Sequence, residues 1–182
     1  MIDAAALPRR VLCLCGSLRQ VSANRAALEA AQALAPSSLR LEIYPGMAAL
    51  PLFNPDVEVD PLPPPVLALR EAIGRADALL IACPEYAHGI PGAFKNLLDW
   101  LVGALEFPGK PALLLNASAR GSHHAQDALM EVLRTMSARL LSDDPLPVRL
   151  PGAGCTRAAV LASEDRCREL QTALGVLVAG LA

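Results

Sequence analysis

An α/β fold, with five parallel strands in the order 2-1-3-4-5 and helices on both faces, is predicted for this chain from three observations. Apolar strands and amphipathic helices alternate along almost its whole length. The segment Ala78 to Cys83, ALLIAC, is apolar at every position, the mark of a strand covered on both faces of a parallel sheet. The 182 residues hold five strands, which favours this order over a six-stranded dinucleotide fold.

The first strand covers about residues 9 to 15 and stops at Gly16. A helix starts near Ser22 or Asn24, carries Ala27, Leu28, Ala31, Leu34 and Ala35 at helical spacing, and ends before Pro36. Leu39 to Tyr44 form the second strand, closed by Pro45-Gly46. Residues 45 to 65 are Pro-rich, and proline removes the donors that ladders and helices need, so a long surface loop is expected beside a site or a subunit contact. The second helix runs from Pro65 to Arg75 with Val66, Leu69, Ala72 and Ile73 inward. After the third strand, Pro91 opens a helix carrying Phe94, Leu97, Leu98, Leu101 and Val102. Pro111 to Leu115 form the fourth strand and Ala125 to Arg139 the fourth helix. Residues 140 to 150 hold the fifth strand, and 164 to 182 the last helix.

One domain over residues 1–182 is expected, because chains of this size do not split. Apolar residues make up 53% but aromatic ones only 3%, so the core is built from Leu, Val, Ile and Ala. A net charge of −2 argues against nucleic acid as a partner. MIDAAALPRR has an early acid and no long apolar stretch, unlike a signal peptide, and no apolar run approaches the ~20 residues of a membrane span. Five cysteines, an odd number, suggest reduced thiols and a cytoplasmic setting. Cys13 and Cys15 are expected on opposite faces of the first strand, so no metal site is expected.

In such a sheet, ligands bind outside the carboxyl ends of the strands, where strands one and three diverge. Three loops meet there. The first, CGSLRQVSANR, offers Ser17, Arg19, Ser22 and Asn24 around a helix start, whose free N–H groups and partial positive charge suit a phosphate monoester. It lacks both GxGxxG and GxxxxGK[ST]. Ser22 and Asn24 alone could also be read as helix caps, which does not explain Ser17 and Arg19. The second loop puts Pro84, Glu85 and Tyr86 at the end of the buried strand, where backbone N–H groups can meet the polar edge of a heterocycle and Tyr86 can cover a face. Lys95 and Asp99 on the next helix form an i, i+4 pair that serves equally as a staple or a site. The third loop spans residues 116 to 124.

CGSLRQVSANRAAL followed by PEYAHGIPGAFKNLLDW resembles the NADPH-dependent FMN reductase family of flavodoxin-like proteins. LPLFNPD, residues 50 to 56, is a counterpart of a further family segment, and the similarity runs from about residue 9 to 140. The resemblance implies FMN with its phosphate on Ser17, Arg19, Ser22 and Asn24 and its ring against Pro84, Glu85 and Tyr86. Gly89, and Ser118, Arg120 and Gly121 in the third loop, are candidate neighbours of the flavin or nicotinamide, and His88 is equally a donor near the flavin or an exposed loop histidine. NADPH or NADH would reduce the flavin, which would pass electrons to a quinone, free flavin, azo compound or metal oxyanion, in a homodimer or homotetramer. No catalytic side chain is implied, since the hydride chemistry belongs to the cofactor. The chain departs from the family pattern in Ala87-His88, where an asparagine is common. It departs again in ASARGSHHAQ, where Gly121 stands in place of a glycine pair.

Two other readings stay open. Cys13 to Arg19 satisfies C-x5-R, the phosphate loop of low-molecular-weight tyrosine phosphatases, with an acid from Asp60-Pro61 or Asp144-Pro145. Against it, Gln20 stands where Ser or Thr is expected, and Cys13 lies inside the strand. The other is a flavodoxin-type electron carrier or flavin-binding sensor, although carriers are strongly acidic and this chain is not.

Overall fold

Strand β1, Arg9–Cys15, lies at the centre of the sheet, paired in parallel with β2, Leu39–Ile43, on one side and β3, Ala78–Ala82, on the other. The computed structural model describes residues 7–119, 121–152 and 154–182. Beyond β3 comes β4, Pro111–Asn116, then β5, Arg139–Leu140, giving the expected order β2-β1-β3-β4-β5. The fifth strand is broken. β5 pairs with the start of β4, and β6, Leu146–Pro147, pairs with its end, opposite Leu115 and Asn116. Pro145 and Pro147 explain the interruption, because each lacks the N–H that a continuous ladder requires.

Every residue of β3 is buried, as its unbroken apolar pattern requires. On one face Val11, Cys13 and Leu80 pack under α1 (Ala23–Leu34), α5 (Arg157–Leu161) and α6 (Glu164–Gly180). On the other, Leu12, Leu14, Leu79 and Ile81 pack under α2 (Pro64–Arg75), α3 (Gly92–Asp99) and α4 (His123–Thr135). Full burial of each such Leu or Ile is worth roughly 1.5–3 kcal/mol against exposure. Cys13 and Cys15, expected on opposite faces, lie on the same one, as residues two apart in a strand do.

The expected helices form, with shifted ends. Ser22 caps α1, its hydroxyl accepting from the Arg25 N–H at 3.5 Å. α3 ends at Asp99 rather than running to Val102; Trp100 and Leu101 stay buried in the turn that follows, but Val102 points out. α4 begins at His123, so both of its histidines belong to the first turn, and α5 is a short helix not foreseen.

The Pro-rich loop holds two single 3₁₀ turns, Gly46–Ala49 and Pro55–Val57, and is pinned to α3. The Asn96 side chain accepts from the Phe53 N–H at 2.7 Å and donates to the Pro51 carbonyl at 2.9 Å. Trp100 Nε1 donates to the same carbonyl at 2.7 Å, and its ring stands nearly perpendicular to that of Phe53 at a centroid distance of 5.1 Å. The Arg70 guanidinium joins Glu58 of the loop to the Trp100 carbonyl. Two residues of KNLLDW therefore tie down a segment more than 40 residues away, while Lys95 and Asp99 form the helix staple at 2.5 Å.

Candidate functional site

A cleft of about 420 Å³ opens at the carboxyl ends of β1, β3 and β4. Its lining brings together Ser17, Arg19, Ser22, Asn24, Pro84, Glu85, Tyr86 and Ser118, eight of the residues singled out in the sequence. His88, Gly89 and Gly121 are not on its wall, and Arg120 lies outside the described residues.

The cradle follows from the strand ends. Gly16 donates its N–H to the Ala82 carbonyl at 2.8 Å, bringing the first loop hard against the end of β3. A Cβ on Gly16 would stand 2.7 Å from Cys83 Sγ and 3.0 Å from its Cα, so the glycine answers a close approach of backbone. Gly16→Ala is expected to cost about 1–3 kcal/mol, read as a lower urea midpoint at unchanged slope, because the Cys83 Cα is backbone at the end of β3 and cannot retreat without shifting that strand end.

Past Gly16 the chain turns into α1, and three polar side chains are buried at the turn: Ser17, Ser22 and Asn24, exposed by 9%, 7% and 8%. Buried polar groups are normally bonded within the protein. Ser17 Oγ accepts from the Arg19 N–H at 3.3 Å and Ser22 caps the helix, but Asn24 Oδ1 has no protein partner. Together with the exposed Arg19 guanidinium and the N-terminus of α1, this donor set suits a phosphate monoester, and the Asn24 oxygen is left for a ligand hydroxyl. The residues present thus fit FMN, whose phosphate and sugar-alcohol chain have those two chemistries.

The second loop makes the opposite wall. Tyr86 is half-exposed at the cleft and closes a tight turn with Gly89, their N–H and carbonyl groups bonding reciprocally at 3.0 and 3.1 Å. Glu85, implied to lie against the ring, uses its carboxylate on the protein as well: Oε2 accepts from the Ala125 N–H at 3.0 Å. That bond satisfies a free donor of α4, whose own N-cap, Ser122, is left-handed (φ 49°) and makes no side-chain cap. Negative charge at a helix N-terminus is favourable there.

In the third loop, Asn116 Nδ2 donates to the Gly121 carbonyl and its Oδ1 accepts from the Ser118 N–H at 3.1 Å. Gly121 has φ 98°, which a side chain rarely adopts, so the one remaining glycine sits where the backbone needs it. Ala117, Ala119, Ser122 and the Pro151-Gly152 turn also line the cleft. The Pro-Gly pair following the fifth strand was a readable signal for the last of these; the others have no local signature.

Cys13 does not serve as a phosphatase nucleophile. It is fully buried in β1, and burial, then the neighbouring Cys15, push its thiol up to about 12, leaving no thiolate near neutral pH. Burial likewise raises the thiol of Cys15, and pushes Cys83 up to about 12.

A sequence model of the NADPH-dependent FMN reductase family matches residues 9–148. The NAD(P)H-dependent FMN reductase PA1204 of Pseudomonas aeruginosa is 43% identical over 128 residues, 68% of this chain and 69% of its own. A quinone reductase of Escherichia coli strain K12 is 34% identical over 138 residues, 73% of each chain. Among solved structures, FerB of Paracoccus denitrificans, a flavoenzyme NAD(P)H:(acceptor) oxidoreductase, superposes with a TM-score of 0.76 at 27% identity, covering 95% of this chain and 97% of FerB.

Proposed function

The chain belongs to the NADPH-dependent FMN reductase family, and from that premise we propose that it takes electrons from NADPH or NADH through bound FMN to a small-molecule acceptor. The acceptor is a quinone, free flavin, an azo compound or a metal oxyanion. The observation that carries this is the meeting, in one cleft, of the buried Ser17, Ser22 and Asn24 and the Arg19 guanidinium with Tyr86 on the facing loop. When bound, FMN supplies the hydride and electron chemistry, and no acid, base or nucleophile of the chain is required for it.

The chain's own residues do three things. Ser17, Arg19, Ser22 and Asn24 with the N-terminus of α1 hold the phosphate end. Pro84, Glu85 and Tyr86 form the wall for the ring, with Tyr86 over it and Glu85 fixed by its bond to α4. Ser118 bounds the open side, where nicotinamide and acceptor enter in turn. The protein works as a single cytoplasmic domain, a homodimer or homotetramer. Val57, Val59, Val102 and Leu105 are exposed apolar side chains that a copy of the chain could cover.

The test is the visible spectrum of the purified protein, followed by NADPH under anaerobic conditions. A yellow protein that bleaches is the expected result. Colour without bleaching by NADPH or NADH overturns turnover in favour of a carrier or sensor. A colourless protein that cannot take up added FMN overturns the cofactor itself.

A further inference from the structure

We propose that His124 is a positioning residue: by stacking on His88 it braces the left-handed Ala87-His88 turn, and so sets where Tyr86 stands in the cleft. Its consequence for FMN rests on the reading in the preceding subsection; the brace itself does not.

The turn needs a brace. Ala87 and His88 have φ of 50° and 59°, two consecutive left-handed residues, neither of them glycine. Glycine adopts this region freely, and Asn or Asp offsets its cost with a local side-chain hydrogen bond, but alanine has no means of doing so. At its base the turn is closed by the two Tyr86–Gly89 backbone bonds. At its tip the His88 ring lies on the His124 ring, with centroids 4.3 Å apart and planes 17° from parallel.

His124 is well placed to hold a position because its helix is already fastened to the same loop. Successive residues of the first turn of α4 reach successive parts of it. The Gln126 side chain donates to the Cys83 carbonyl at 3.1 Å, the Ala125 N–H donates to Glu85, and His124 stacks on His88. The first two fix the root of the loop, and His124 holds the tip. Tyr86 lies between these anchors, half-exposed, on the wall of the cleft. Neither His88 nor His124 lines that cleft, so the pair acts on a ligand there only through Tyr86.

The experiment uses the full chain and three variants: H124A, H124F, and H124A combined with A87N. Amide hydrogen exchange at Tyr86 and Gly89 reads the turn with no ligand present, and quenching of flavin fluorescence reads FMN affinity. In H124A the exchange should quicken about three- to tenfold, the equilibrium worth of one aromatic pair, and FMN binding should weaken within the same range. H124F, which keeps a stacking ring, should restore both, and A87N should rescue H124A by making the left-handed turn cheaper. Unchanged exchange in H124A, or equal quickening in H124F, overturns the brace. Quickened exchange with wild-type FMN affinity overturns the positioning role. A wild-type chain that binds no FMN overturns the cofactor reading, while the exchange comparison still decides the brace. His124 is exposed, so the variants keep the folded core.

Discussion

Replacing Arg19 with alanine is expected to weaken FMN binding roughly 10- to 30-fold and to leave riboflavin binding within about twofold, a comparison that flavin fluorescence on the purified apoprotein would read. The two ligands differ only in the phosphate, so their ratio isolates the group that Arg19 is expected to meet. A guanidinium–phosphate bond is charge-assisted and can be bidentate, which places it among the stronger polar contacts. The exposure of Arg19 tempers the effect, because solvent screens it, and the difference from wild type should shrink as salt rises. Ser17, Ser22 and the N-terminus of α1 remain in the variant and are expected to account for the binding that survives. An unchanged FMN-to-riboflavin ratio would mean that the phosphate is held elsewhere.

Trp100→Ala is expected to destabilise the fold by about 3–5 kcal/mol, the range for removing a fully buried large aromatic side chain. Trp100 is 0% exposed, and its loss would empty part of the core between α2, α3 and α4. Two further contacts go with it: the indole N–H on the Pro51 carbonyl and the edge contact with Phe53. Both hold the Pro-rich loop, so its residues 51–53 should exchange faster in a variant that still folds. Urea unfolding measures the first effect and hydrogen exchange the second. A loss below about 1 kcal/mol would show that the neighbours collapse into the space.

The contrast between these residues marks what the amino-acid order reveals. Arg19, Ser17 and Ser22 could be read as a cradle because everything they need is local: an apolar strand, a glycine and a helix start within a few positions. The sheet order was legible for a similar reason, since ALLIAC states its own double burial. Trp100 and Asn96 stand in a helical pattern that accounts for them fully as core and surface. Their bonds to Pro51 and Phe53 cross more than 40 positions and leave no local trace. Glu85 is similar: beside the end of a buried strand it reads as a ligand neighbour, and its bond to α4 depends on Ser122 failing to cap that helix. The end of α3 was misplaced because Leu101 and Val102 continue the apolar period, although only Leu101 is buried.

The broken fifth strand governs how copies of the chain can meet. A sheet edge with a long run of free N–H and C=O groups invites a strand from another molecule. Here the β4 side is covered at both ends by two-residue strands, and the chain between them carries Asp143, Asp144 and Pro145. The opposite edge, β2, is five residues long and bears the exposed Arg40–Glu42 ion pair. Neither border is a good template for continuing the sheet, so self-association by strand addition, the route towards fibrils, is discouraged at both. Copies that do assemble must meet through side chains, and the sheet then stays intact whatever the assembly.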